Sequence, residues 1–122
     1  MLNKKLNDQQ LKILRQGDTE APGTGHWLHN KQSGNYYCAF CGNLLFNSQT
    51  KFDSHSGWPS FYDVANNKSV KLLTDTSHDM VRTEVKCSSC DSHLGHLFDD
   101  AFGQPTNQRY CINSNALDFK KD

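Results

Sequence analysis

A chain of 122 residues has room for one domain with a modest hydrophobic core. Its 13 basic and 13 acidic residues cancel, so no excess positive charge favours nucleic acid or an anionic membrane as a partner. No apolar stretch approaches the roughly 20 residues that span a bilayer, and the N-terminus lacks the apolar run of a signal peptide. Five cysteines in such a chain predict a reducing, cytoplasmic environment, where metal binding and thiol catalysis are more common than disulfides.

A helix is predicted over residues 7–16. Asn7 is followed three residues later by Gln10, which is the spacing of a capping box. Gly17 is typical of a residue that ends a helix. We therefore predict a helical N-terminal arm over residues 1–17 that packs on the rest of the protein, the alternative being a frayed tail.

Leucine spacing predicts which face of this helix packs. Leu6 and Leu11 occupy the two positions of a hydrophobic staple. Leu11 and Leu14 are expected to share one apolar face, since residues three apart are neighbours on a helix.

The rest of the chain is expected to be mainly β. Val81, Thr83 and Val85 alternate with charged residues, which is the period of a half-buried strand. The predicted fold is a set of small antiparallel sheets in a compact barrel-like or tent-like domain with the helical arm. Short apolar runs between turn residues predict strands over residues 36–40, 44–46, 70–74, 80–87 and 108–113.

Two Cys-x-x-Cys pairs predict a metal site. The pairs are Cys38 with Cys41 and Cys87 with Cys90. Two residues between cysteines let both thiolates point into one turn, and two such turns supply the four sulfurs of a tetrahedral zinc site. We predict one structural zinc ion per chain, held in a zinc-knuckle arrangement that leaves no position for a substrate.

The cysteine pairs have other interpretations. Two disulfides or two redox-active motifs are possible, although the βαβ surroundings of a thioredoxin-like motif are missing. Spacing alone also permits Cys87 and Cys90 to bind a metal together with His93 and His96. That mixed site would leave the first cysteine pair without a role.

The fifth cysteine lies in a predicted strand. Because side chains alternate between faces, Arg109, Cys111 and Asn113 share one face, and Tyr110 and Ile112 share the core face. An arginine beside a thiol favours the nucleophilic thiolate, and an asparagine can donate to an oxygen that develops nearby. The alternative is a buried structural cysteine, which is common among free cysteines.

Two histidines and a tryptophan add to this site. His93 and His96 are near a strand that can pair with residues 108–113, and an imidazole can ionise a thiol or protonate a leaving oxygen. Trp58 follows a glycine and precedes a proline, a turn that can display the indole as a pocket wall for a methyl-thioether-like group. Core packing is the alternative for Trp58.

Together these stretches resemble the methionine sulfoxide reductase B family over nearly the whole chain. The three most specific motifs are FDSHSGWPSF (residues 52–61), HLGHLFDD (residues 93–100) and RYCINSNALDF (residues 109–119). The resemblance implies one domain over residues 1–122, built from two antiparallel sheets and N-terminal helices, with zinc on the four paired cysteines. It also implies reduction of the R epimer of methionine sulfoxide in oxidised peptides and proteins.

The resemblance also implies roles for single residues. Cys111 matches the nucleophile, which becomes a sulfenic acid. His96, with His93 beside it, matches the histidines that assist this step. Arg109 and Asn113 match residues that position and activate the thiol. Trp58 matches the indole at the methyl end of the substrate.

Two positions depart from the family's pattern. Ser56 stands where many members have the resolving cysteine, so the sulfenic acid is expected to be reduced by an external thiol such as thioredoxin, glutathione or a glutaredoxin. Gly23 stands where the family often has phenylalanine, which predicts a more open pocket wall. We expect a monomer that repairs oxidative damage, with no nucleic-acid or membrane partner.

Two other functions are compatible with the residues alone. One is a zinc-binding interaction module in which Cys111 is merely buried. The other is a thiol hydrolase in which Cys111 and His96 form the catalytic dyad. Methionine formation from a sulfoxide peptide would separate the three.

Overall fold

The structure, a computed structural model, describes residues 6–122 except for the side chain of His78. Residues 1–5 of the predicted N-terminal arm lie outside the described residues. Within them, the chain forms one α-helix and nine β-strands: α1 (Asp8–Gln16), β1 (Gly34–Cys38), β2 (Leu44–Asn47), β3 (Lys51–Phe52), β4 (Ser60–Phe61), β5 (Val70–Asp75), β6 (Arg82–Cys87), β7 (His93–Phe98), β8 (Arg109–Ile112) and β9 (Leu117–Lys121). No helix in this part of the chain has the length and apolar character that crossing a bilayer requires.

Helix α1 begins and ends where its sequence predicts. The Asn7 side chain accepts from the backbone N–H of Gln10, whose own side chain accepts from Asn7, and Gly17 ends the helix with a φ of 74°. The prediction for the leucines was wrong in one respect. Ile13 and Leu14 are buried in the core, whereas Leu11 is 37% exposed, because it lies at the side of the helix face that packs.

The strands form two antiparallel sheets, which confirms the mainly β prediction. The smaller sheet has the order β2-β1-β9, and the larger has the order β3-β4-β8-β7-β6-β5. Both sheets are open within residues 6–122, so the barrel-like description applies only loosely. Strand β8, which carries Cys111, lies in the interior of the larger sheet between β4 and β7.

Several strands differ from their predicted positions. Strand β7 was not predicted, because two histidines and Gly95 interrupt its apolar residues. Strand β6 begins at Arg82 rather than two residues earlier, and Val81 is 81% exposed. The two-residue strands β3 and β4 are too short for a sequence pattern to indicate.

An aromatic core joins the two sheets. Phe46 of the smaller sheet stacks on Phe61 of the larger sheet, with 4.3 Å between ring centroids. Tyr110 packs on Phe46 at 5.7 Å, and Ile112 is fully buried. The core-facing side chains of β8 are therefore anchored, and its other face is left for Cys111.

Strands β7 and β8 approach closely at one glycine. A Cβ atom at Gly95 would collide with the backbone carbonyl of Cys111. Only a residue without a side chain fits there, so Gly95 allows β7 to pack tightly against the strand that carries the fifth thiol.

Candidate active site

The sheet register places four polar side chains in one row. Ser60 of β4 pairs with Cys111 of β8, Cys111 pairs with His96 of β7, and His96 pairs with Glu84 of β6. Residues directly opposite one another on neighbouring strands share a face of the sheet. Residues far apart in sequence therefore meet around a single sulfur.

The sulfur of Cys111 has three polar neighbours. Arg109 Nη1 donates to the Sγ atom of Cys111 at 2.9 Å. The hydroxyl groups of Ser60 and Ser56 lie 3.5 Å and 3.6 Å from the same atom. The Cys111 residue is 8% exposed, so the thiol is nearly enclosed but reachable from the surface.

Arg109 is held in place by a carboxylate that the sequence did not single out. Its Nε and Nη2 atoms each donate to Asp100 at 3.0 Å, and its guanidinium lies 4.4 Å from the centroid of the Phe98 ring. This pairing raises the pKa of Arg109 and lowers the pKa of Asp100. The guanidinium therefore stays charged and oriented toward the sulfur.

The two histidines occupy different positions around the thiol. His96 lines a cleft together with Cys111, and its Nε2 atom lies 2.8 Å from Asp75. His93 is buried behind it, with 5.5 Å between the two ring centroids, and its Nδ1 donates to Glu84 at 2.7 Å. A register shift between β6 and β7 allows residues three apart to share this face.

His93 is buried and incompletely hydrogen-bonded. Burial lowers the pKa of His93 from its ordinary value, so the neutral imidazole is favoured. Its Nε2 atom is buried without a hydrogen-bond partner among the described residues. His96, rather than His93, lines the cleft with the thiol.

Replacing Asp75 with asparagine is expected to make stability less dependent on pH. Hydrogen bonds from Ser77, then from His96, hold the pKa of Asp75 well below its ordinary value. A carboxylate whose pKa is lower in the folded state than in the unfolded state stabilises the fold above about pH 4. This stabilisation is lost as the pH falls further. The urea midpoint of Asp75→Asn should therefore lie below that of the wild type at neutral pH, and the gap should shrink below about pH 4.

Ser77→Ala is the matched control for this prediction. It removes a hydroxyl that donates to Asp75 at 2.7 Å but keeps the carboxylate. Its urea midpoint is expected to fall below that of the wild type by less than the midpoint of Asp75→Asn does, with the same dependence on pH. A deficit that is constant from pH 7 to pH 3 would contradict the assignment.

The cleft beside Cys111 is small. Its volume is about 90 Å³, which suits the end of a side chain rather than a whole drug-sized ligand. Trp58 forms one wall, and its Nε1 atom donates to the carbonyl of Glu20 at 3.1 Å. The lining residues are Thr19, Trp58, Arg82, Gly95, His96, Phe98, Cys111 and Asn113.

Asn113 holds the cleft together. Its Oδ1 accepts from the backbone N–H of Glu20, and its Nδ2 donates to the carbonyl of Leu94, both at 3.0 Å. Glu20 is itself buried and accepts two hydrogen bonds from Asn115. These bonds fix the segment before Pro22 against the end of β8.

Gly23 and Gly57 connect that segment to the turn that carries Trp58. The N–H of Gly23 donates to the carbonyl of Gly57 at 2.8 Å. Gly23 has a φ of 81° and is not among the residues that line the cleft. The left-handed conformation favours glycine, so this turn suits the residue present.

The other four cysteines converge in a second cluster. All four sulfurs lie within 4.8 Å of one another, with 3.7 Å between Cys38 and Cys90 and 3.6 Å between Cys41 and Cys87. These separations are too long for disulfides, whose sulfurs are about 2.0 Å apart. They match the edges of about 3.8 Å expected for a tetrahedron of sulfurs at about 2.3 Å from zinc.

The chemistry of this cluster also fits a cation. A hydrogen bond between the side chains of Cys38 and Cys87 raises the pKa of Cys38 and lowers the pKa of Cys87. Four neighbouring thiolates repel one another unless a positive ion lies between them. The cluster could hold a metal ion, and it uses both cysteine pairs, unlike the mixed site with His93 and His96.

Comparison with known proteins agrees with this geometry. The SelR domain model matches residues 6–121. Peptide methionine sulfoxide reductases MsrB of two Escherichia coli strains, E24377A and K12 DH10B, are each 48% identical over 118 residues, covering 97% of this chain and 85% of theirs. The chain belongs to the MsrB family.

A fold relationship extends beyond the MsrB family. The crystal structure of the Mis18 'Yippee-like' domain superposes with a TM-score of 0.58 and 19% identity, covering 75% of this chain and 98% of that one. At this identity the likeness shows a shared fold only.

Sequence reasoning missed several residues that this MsrB family member places around Cys111. Ser60, Asp75, Glu84 and Asp100 each contact a predicted site residue, but none was singled out; Ser60 and Asp100 lie within two of the quoted motifs, whereas Asp75 and Glu84 lie outside them. The alternation that predicted β8 placed Cys111 on the correct face. A pairing argument that continued from β8 to HLGHLF would have found His96 directly opposite the thiol.

Proposed function

We propose that this protein reduces the R epimer of methionine sulfoxide to methionine in oxidised peptides and proteins, with Cys111 as the nucleophile. One observation carries the proposal: the Cys111 sulfur accepts a hydrogen bond from Arg109 and lies in a small cleft lined by Trp58 and His96. That combination provides a thiol, a positive charge, a proton source and an apolar wall in one place. Membership of the MsrB family supports the same activity.

The site supports a two-electron oxygen transfer. The guanidinium of Arg109 stabilises negative charge on the Cys111 sulfur, and the thiolate attacks the substrate sulfur. His96, oriented by Asp75, supplies a proton to the sulfoxide oxygen. The oxygen passes to Cys111, which becomes a sulfenic acid, and the substrate sulfur gains two electrons and leaves as methionine.

Trp58 and the buried residues position these groups. The indole receives the methyl end of the substrate, since sulfur and methyl groups pack well on aromatic faces. His93 orients His96 from behind, and Asn113 fixes the backbone of Glu20, whose carbonyl accepts from the Trp58 indole. The cleft selects one sulfoxide epimer because the methyl group, the oxygen and the sulfur of the substrate each face a different neighbouring residue.

The sulfenic acid is reduced by an external thiol, such as thioredoxin or another cellular dithiol. Ser56 lies beside Cys111 but cannot form a disulfide. The other four cysteines are grouped with one another, where we propose that they hold one structural zinc ion per chain. Unpaired thiols throughout fit a cytoplasmic protein, which we propose acts as a monomer in repair of oxidative damage.

A single assay tests the reaction. The protein is incubated with peptides that contain either the R or the S epimer of methionine sulfoxide, together with dithiothreitol, and methionine is followed by chromatography. Methionine is expected from the R epimer alone. Acyl-enzyme formation without need of a reductant would instead favour a thiol hydrolase.

Mass spectrometry after one turnover without reductant tests the intermediate. Cys111 is expected to carry one added oxygen, recovered as an adduct with a sulfenic-acid reagent. An intramolecular disulfide that includes Cys111 would contradict the single-cysteine mechanism.

A further inference from the structure

A wide groove lies on the opposite side of Cys111 from the cleft. The groove has a volume of about 540 Å³ and shares no lining residue with the cleft. The cleft includes Asn113, two residues after Cys111, and the groove includes Arg109, two residues before it, so the two flank the thiol along β8. The groove is lined by Phe52, Asp53, Ser54, Ser56, Asp100, Ala101, Phe102, Gln104 and Arg109.

Two of the groove's lining residues contact the sulfur directly. Ser56 Oγ and Arg109 Nη1 lie 3.6 Å and 2.9 Å from the Sγ atom of Cys111. Ser54 bonds to Ser56 at 2.7 Å and to the buried Ser60 at 2.6 Å, which continues the hydroxyl network beneath the groove. The floor of the groove is therefore one side chain away from the reacting atom.

We propose that this groove receives the external thiol that reduces the Cys111 sulfenic acid, and that it favours neutral or cationic thiols over anionic ones. The inference rests on the proposed function and adds to it the entry side and the charge class of the reductant.

The direction of attack follows from the displacement. The oxygen taken from the substrate lies on the cleft side, beside His96. A thiolate that displaces this oxygen must approach the sulfur from the opposite side, which is the side of Ser56 and the groove. The Cys111–oxygen bond breaks, the oxygen leaves as water after taking up a proton, and a disulfide forms between Cys111 and the reductant.

A second thiol completes the cycle. It attacks the reductant sulfur of that mixed disulfide and releases Cys111 as a thiolate, so two thiols are oxidised to one disulfide for each sulfoxide reduced. The wide opening of the groove leaves room for this second step, and the narrow cleft does not.

The charge preference follows from the lining residues. Asp53 and Asp100 supply two carboxylates against the single guanidinium of Arg109, whose charge Asp100 already pairs. A hydrogen bond from the backbone of His55 lowers the pKa of Asp53 and keeps its carboxylate ionised. Lys31 and Lys51 are close enough to Asp53 to interact with its charge, but neither lines the groove, and the Nζ of Lys51 donates to the carbonyl of Leu28. An anionic thiol therefore meets net negative charge at the groove.

The test compares three small thiols of different charge. Cysteamine, 2-mercaptoethanol and 2-mercaptoethanesulfonate are supplied at equal thiolate concentration, at roughly pH 8 where an ordinary histidine is neutral, in low salt. The kcat/KM for each thiol is measured at saturating sulfoxide peptide. The expected order is cationic above neutral above anionic.

Asp53→Lys should change that order. Reversing one exposed charge near the groove should lower the ratio of cationic to anionic thiol rates by roughly three-fold to ten-fold, and salt should weaken the effect. Phe102→Lys introduces a charge at a residue that is 83% exposed and should shift the ratio in the same direction. The second variant guards against a folding defect in the first.

Asp63→Lys is the matched control. Asp63 is exposed and its carboxylate also accepts a backbone N–H, but it lines neither the groove nor the cleft. The ratio of cationic to anionic thiol rates in Asp63→Lys should equal that of the wild type. The methionine formed in one turnover without any thiol is measured in parallel, because it reports the substrate step alone.

Two results would overturn the inference while the proposed function stands. One is an unchanged thiol ratio in both Asp53→Lys and Phe102→Lys. The other is a loss of the single-turnover methionine in Asp53→Lys, which would show that the groove and the cleft are not separate. Absence of methionine in the wild type with every thiol would refute the proposed function itself.

Discussion

Cys111→Ser is expected to lower the rate of methionine formation by at least about a thousand-fold, because a serine hydroxyl at this position is a far weaker nucleophile than a thiolate held by Arg109. The fold should survive, since serine is nearly isosteric and Cys111 is not among the residues of the main hydrophobic cluster. Steady-state turnover with an R-sulfoxide peptide and dithiothreitol measures the effect, and circular dichroism checks the fold.

Ile112→Val provides the control on the same strand. Ile112 is fully buried on the core face of β8, so its shortening should cost about 1 kcal/mol of unfolding free energy and leave turnover within a few-fold. Retained activity in Cys111→Ser would support a merely structural cysteine and remove the basis of the proposed mechanism.

Removal of the proposed zinc ion is expected to unfold the protein, so that no cooperative thermal transition remains. The four-cysteine cluster joins the turn after β1 to the turn after β6, and so connects the two sheets. Structural zinc contributes about 10–16 kcal/mol in small zinc domains, against about 5–15 kcal/mol for the whole stability of an ordinary domain. Elemental analysis should give one zinc per chain, and a strong chelator should eliminate the thermal transition.

Variants at the two kinds of cysteine distinguish the two sites. Cys41→Ser should lose the ion and the thermal transition together. Cys111→Ser should retain one zinc per chain and an unchanged transition. A metal-free wild type with the same melting temperature would refute the structural zinc.

Local signals in the sequence predicted local features well. The capping box of α1 is contained within four residues, so the sequence specifies it directly. The face of β8 that carries Cys111 followed from simple alternation. The two cysteine turns were also recognisable from their spacing, although only the folded chain shows that their sulfurs meet.

Features that depend on distant residues could not be predicted in this way. Asp100 reaches Arg109 from an irregular loop, and Glu20 reaches Asn115 across 95 positions of sequence. The sequence of strand β7 has no recognisable strand pattern. Its Gly95 is explained by the close backbone carbonyl of Cys111 on strand β8, and residues near Gly95 in sequence give no sign of that contact. These contacts are set by tertiary packing, on which local propensity carries no information.

The position of β8 has a consequence for how the chain acquires its structure. When residues 1–107 have left the ribosome, β3 and β4 and the β5–β7 meander have been made, but the strand that joins them has not. Joining them late requires long-range pairings, which form slowly. The reactive side chain lies on the strand that joins the two parts of the larger sheet, so the nucleophile meets its neighbours only when that sheet is completed.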